Sequence, residues 1–285
     1  MAAQAILITS ILQFQTALIR EVERVLATKA VHPGFQHHSD LVSFETEVSF
    51  ATGEAIGAFA RRAMRRASAS ELNRQRRIVD KLVAEIVAQV SPEELNRRCL
   101  DASIAITLML EELGIWAVTY LGTLIYDGNG VLPNRSLYYV DDIFNPPENS
   151  EARGHSWIFT PGYPVLDLTA HHQPLPDEWR SSVPFPILLK KDGPTSSEPR
   201  WYLDLSESPM SVQKKREWLL AQRKYPDWNR VHSHAHFHSN GIILHFVPMD
   251  LLFGDSPLKE FKSSLQIGGT TAFDFFNSIR SKLVG

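Results

Sequence analysis

The segment from Ser91 to Gly114 constrains this chain more than any other. Ser91-Pro92-Glu93-Glu94 carries the parts of a helix start: a serine able to cap, a proline where its missing N–H costs nothing, and a glutamate placed to close a capping box. Apolar residues continue through Ile104, Ile106, Leu108, Met109 and Leu113, and Gly114 stands as the C-terminal stop. The second half of this helix is apolar nearly all round, so it belongs at the centre of the fold.

Strand-like runs follow it. Trp116 to Tyr126 and Ser136 to Val140 flank the turn signal Asp127-Gly128-Asn129-Gly130, and Ser156 to Thr160 and Pro164 to Leu168 are joined by Pro161-Gly162. A buried helix followed by antiparallel strands is an α+β order. Residues 91–190 are therefore read as the core. Residues 1–90 form a helical N-terminal extension, with periodicity from Ile8 to Leu26 and two more helical segments between Gly53 and Val90. Residues 191–285 form a mixed C-terminal extension packed on the core, with a strand-like run at Trp201 to Leu205, a helical one at Pro209 to Lys224 and a strand at Gly241 to Val247. Arg61, Arg62, Arg65, Arg66, Arg74, Arg76 and Arg77 make a basic cluster that reads as a solvated helix surface rather than a phosphate-binding face.

A formal charge of -3 over 285 residues gives no reason to expect nucleic acid or a membrane as partner. The apolar stretch from Ala5 to Ile19 has no basic region before it and is interrupted by Gln13 and Gln15, so it reads as a buried or amphipathic helix rather than a signal peptide. No apolar run approaches the roughly 20 residues needed to span a bilayer. The expected address is the cytoplasm, with export by an unconventional route left open.

One cysteine cannot make an internal disulfide, which makes Cys99 conspicuous. Thiol chemistry needs a thiolate, and a helix N-terminus or nearby cations favour it. Cys99 follows Arg97 and Arg98, but a helix starting at the capping box would place it in a second or third turn. A break near Asn96 would return it to an N-terminus. His155 opens a predicted strand in Gly154-His155-Ser156-Trp157, and Asp167 lies in the next, Val165-Leu166-Asp167-Leu168-Thr169. A hairpin between them would set the carboxylate beside the imidazole, where it can orient the ring and stabilise its cation.

A lone Cys opening an apolar helix that ends in Leu113-Gly114-Ile115, then His155-Ser156-Trp157, then Asp167-Leu168-Thr169, resembles the transglutaminase-like superfamily within the broader papain-like fold. The resemblance spans about Ser91 to Gln173. It implies a Cys-bearing helix packed on an antiparallel sheet, with Cys99 as nucleophile, His155 as base and acid, and Asp167 as orienting group. It also implies a protein or peptide substrate and no cofactor, in a peptidase, a deamidase or an acyl transferase. Asn96, Arg97 and Arg98 stand where animal transglutaminases commonly carry Trp or Gly, and no papain-type Gln precedes Cys99.

Trp157, His171 and His172 are the candidates for substrate contact, Trp157 as a core or cleft-wall aromatic. His232, His234, His236 and His238 alternate along one run, so an extended strand would put all four on one face and offer a metal site, although the run holds no carboxylate or thiolate. Two other readings follow: a protein-binding module that keeps the fold without the chemistry, and a metal-dependent hydrolase built on those histidines.

Overall fold

The structure, a computed structural model, describes residues 68–130, 132, 135–137, 154–173, 175–190, 235–252, 257–263 and 265–284. The expected helices before residue 68, the Trp201 and Pro209 runs, and His232 and His234 lie outside the described residues.

Helix α1, Ala69–Val87, starts where the Ser68 side chain accepts the Glu71 N–H, and buries the stripe Leu72, Ile78, Val79, Leu82, Val83 and Ile86. The capping box forms as read: Ser91 Oγ accepts from Glu94 N–H at 3.3 Å and Glu94 Oε2 from Ser91 N–H at 2.8 Å. The helix it opens, α2, is only Pro92–Leu95. Asn96 is extended and Arg97 takes a left-handed φ of 59°, so the chain turns before helix α3, Cys99–Glu112, begins. Gly114 at φ 68° ends α3, with Ile115 N–H returning to Leu110 C=O at 2.8 Å.

Strands β1 (Val118–Asp127), β2 (Arg135–Leu137), β3 (His155–Thr160) and β4 (Tyr163–Asp167) follow. A 3-10 turn at Ala170–His172, helix α4 (Asp177–Arg180) and strand β5 (Ile187–Leu189) come next, then β6 (Ala235–Ser239) and β7 (Ile242–Leu252). The hairpin β8 (Gln266–Ile267) and β9 (Thr270–Thr271) leads into helix α5, Ala272–Val284. Among the described residues seven strands form one sheet in the order β5-β4-β3-β1-β7-β6, with β2 pairing to β1, and all its pairings are antiparallel.

The fold is thus mixed helix and sheet. α1, α3 and α5 cover one face with Ile158 and Leu166, and an aromatic core of Trp116, Tyr120, Tyr126, Trp157, Trp179 and Phe246 fills the other. Residues on both sides of 91–190 enter these same layers. α1 reaches over the β3–β4 turn, where Arg76 Nε donates to Gly162 C=O at 3.3 Å and the Tyr163 hydroxyl donates to Asp80. β7 lies inside the sheet, pairing along β1 from Thr119↔Leu252 to Asp127↔Ile243, instead of packing onto a finished core. No helix among the described residues is long and apolar enough to cross a membrane.

Candidate active site

Cys99 is the first residue of α3. Arg98 occupies the N-cap and makes no side-chain capping hydrogen bond there, Asp101 is the acidic residue of the first turn, and the thiol sits at the positive end of the helix dipole. The break at 96–98 restores the N-terminal position, though Asn96 caps the C-terminus of α2 rather than starting α3. The thiol is half-buried.

His155 and Asp167 come together across the β3–β4 hairpin. His155 Nε2 and Asp167 Oδ2 are 2.6 Å apart, with both residues buried at 1% and 3% exposure. Asp167 Oδ1 is saturated separately: it accepts the Thr169 N–H at 2.7 Å, the Thr169 hydroxyl at 3.0 Å and the Ala170 N–H at 3.1 Å. With Nε2 committed, His155 Nδ1 is the ring atom left to serve the sulfur; it is buried and has no nitrogen or oxygen partner. A stacked Trp157 ring, 6.3 Å from the imidazole and tilted by 18°, backs His155.

Charges follow from this arrangement. Burial pushes the Cys99 thiol up, but the hydrogen bond and positive charge of His155, with the backbone N–H of Ser156, bring it below its ordinary value. Burial disfavours the His155 cation, yet the Asp167 charge and hydrogen bond, with the thiolate, push its pKa up to about 10. Burial raises Asp167, and the imidazolium and the Thr169 donors overcome it and hold the carboxyl below its usual range. Each group favours the charge of its neighbour, the pattern of a thiolate, an imidazolium and a carboxylate in series.

No protein-family model, curated protein or solved structure matches this chain.

The remaining sequence candidates fare differently. Trp157, assigned to substrate contact, is 1% exposed and packed between Phe246 at 5.3 Å and Tyr120 at 5.8 Å, so it has no face to offer a substrate. Its place on β3, pointing to the sheet face opposite the helices, puts it in the core. Gly122 makes room for it: a Cβ there would meet the Trp157 ring at 2.7 Å and the Val247 carbonyl oxygen at 2.1 Å. His171 and His172 lie on the 3-10 turn after Asp167 and pack on Phe185. His171 Nδ1–H donates to Val183 C=O at 2.6 Å. His172 is half-buried; burial first, then the charges of His171 and Arg180, lower its pKa, against the pull of Asp167 and Glu93.

In the histidine run, His236 and His238 do share a face of β6, but His236 Nδ1 lies 2.6 Å from His245 Nδ1 on β7 instead of facing its neighbours in the run. That separation is a hydrogen bond between rings. Among the described residues no group of three or more His, Cys, Asp or Glu side chains is arranged to hold a metal ion.

Two residues of the site were given no role from sequence. Thr169 was readable, since Asp-x-Thr is a spacing at which side-chain and backbone donors fold back on a carboxylate. Tyr126, whose buried hydroxyl donates to Ala170 C=O at 3.0 Å, arrives from β1 and had no local signal.

Proposed function

We propose that the protein is a thiol-dependent amide-processing enzyme with a papain-like or transglutaminase-like core, Cys99 being its nucleophile. The observation that carries this reading is a half-buried thiol at an uncapped helix start, paired with a buried imidazole that a carboxylate grips at 2.6 Å. A core histidine kept for packing has no need of a fully buried ionised partner, which costs several kcal/mol to desolvate.

In the proposed reaction the Cys99 thiolate attacks the carbonyl carbon of a carboxamide or peptide, forming a C–S bond and moving the carbonyl electron pair onto oxygen. The tetrahedral species collapses with loss of the C–N bond, and His155 gives its proton to the departing amine. A thioester remains. Water or an amine then transfers a proton to His155 while attacking the thioester, and the C–S bond breaks to return the thiolate. Water yields hydrolysis or deamidation, and an amine yields acyl transfer. Asp167 keeps its charge throughout and stabilises the imidazolium.

The test is the rate of Cys99 alkylation by iodoacetamide as a function of pH, in wild type and in His155→Ala. The wild-type midpoint should fall below the free-cysteine value of about 8.5, and the variant should return towards it. Identical profiles, or an unreactive thiol, would remove the mechanism.

A further inference from the structure

A carboxylate at a strand end can offer an imidazole either oxygen, through more than one rotation of its side chain. The turn after β4 removes that freedom. Three donors converge on Asp167 Oδ1, from Thr169 N–H, the Thr169 hydroxyl and Ala170 N–H, at 2.7, 3.0 and 3.1 Å, so only Oδ2 is left for His155. The turn is itself held from two sides: Gln173 Nε2 donates to Thr169 C=O at 3.1 Å, and the Tyr126 hydroxyl donates to Ala170 C=O at 3.0 Å. Of the three donors on Oδ1, the Thr169 hydroxyl alone belongs to a side chain. Nδ1 of His155 has no nitrogen or oxygen partner to orient the ring from the other side. The ring plane therefore depends on the Oδ2 contact and on the Trp157 stack.

We propose that Thr169 is a positioning residue of the triad: its hydroxyl locks Asp167 so that Oδ2 alone faces Nε2, and thereby fixes the ring plane that carries Nδ1 to the Cys99 thiol. This rests on the thiolate reading above. With the hydroxyl gone, Oδ1 keeps two backbone donors but the carboxylate gains rotation, and the imidazolium is held less firmly at the sulfur. Thr169 touches neither the thiol nor the substrate in this role.

The experiment is the iodoacetamide pH profile of the full chain in wild type, Thr169→Val and Thr169→Ser, with the low-field NMR resonance of the His155 Nε2 proton as a second readout. Thr169→Val should raise the alkylation midpoint by about half a unit to one unit and broaden or shift that resonance. Thr169→Ser, which keeps the hydroxyl, should follow wild type in both. A folded Thr169→Val that superimposes on wild type overturns the proposal, as does a folded Thr169→Ser that shifts. If Thr169→Val does not fold by circular dichroism, Thr169→Ser decides alone, a wild-type profile supporting the role and a shift refuting it. A wild-type midpoint at the free-cysteine value would instead refute the thiolate reading, and the role of Thr169 with it, so the two failures are distinguishable.

Discussion

Asp167 is buried as an anion because every direction around its carboxylate holds a donor, the imidazole on one oxygen and Thr169 and Ala170 on the other. Its pKa in the folded protein lies below the ordinary value, so it contributes stability that is present above about pH 4 and is lost as pH falls through the folded value. Asp167→Asn keeps the shape and removes the charge, leaving His155 buried without its counter-ion. It should cost about 3 kcal/mol in urea unfolding at neutral pH and abolish this part of the acid-induced loss. A variant as stable as wild type would mean that the pair contributes no net stabilisation. The same carboxylate marks where reading the sequence stopped. Cys99, His155 and Asp167 could be grouped because helix and hairpin signals placed them, but their contact depends on a sheet that brings distant strands together.

At the level of elements, α3 packs against β1 and β3, and one contact there is polar. Thr107 Oγ1 and Thr119 Oγ1 lie 2.9 Å apart between α3 and β1, both buried. Replacing either threonine by valine strands the other hydroxyl, at about 1–2 kcal/mol, whereas replacing both removes the pair and should cost less than the two single losses together. Urea unfolding of the four proteins in this cycle measures the difference, and simple additivity would show that no bond joins them. The capping box at Ser91 was legible because it lies within four residues. The break after it was legible only as one alternative, on the strength of Asn96, because its turn is made by Arg97 in a left-handed backbone that its own sequence does not favour, with α2 in contact with the turn after β4. The hairpin β3–β4 was readable from two strand-like runs joined by Pro161-Gly162, whereas the choice for Trp157 between core and cleft wall was not, because both strands are buried at every position and their residues carry no polar alternation to tell one face from the other.

For the whole molecule, the least legible feature was that β6 and β7 complete the sheet started by β1. These strands carry the buried pair His236–His245, with Asp127 Oδ2 3.4 Å from His245 Nε2. Burial, then the neighbouring His236, lowers the His245 pKa from 6.5 to about 4 against the pull of Asp127, and His236 is lowered by burial and by His238. A histidine whose folded pKa is depressed leaves stability intact above 6.5 and erodes it as pH falls towards 4, because the unfolded chain binds the proton first. The melting temperature should therefore drop between pH 7 and about 4.5, and drop less in His245→Gln. An equal drop in that variant would assign the acid sensitivity elsewhere. The position of β7 also has a temporal meaning. β1 pairs with β3 soon after it in the chain, but its other edge waits for Ile242–Leu252, and Phe246 from that strand forms part of the wall behind His155 and Trp157. A chain emerging from the ribosome thus carries Cys99, His155 and Asp167 long before the strand whose Phe246 backs His155 and Trp157, so the proposed triad lacks that part of its surroundings until the last strand of the sheet is made.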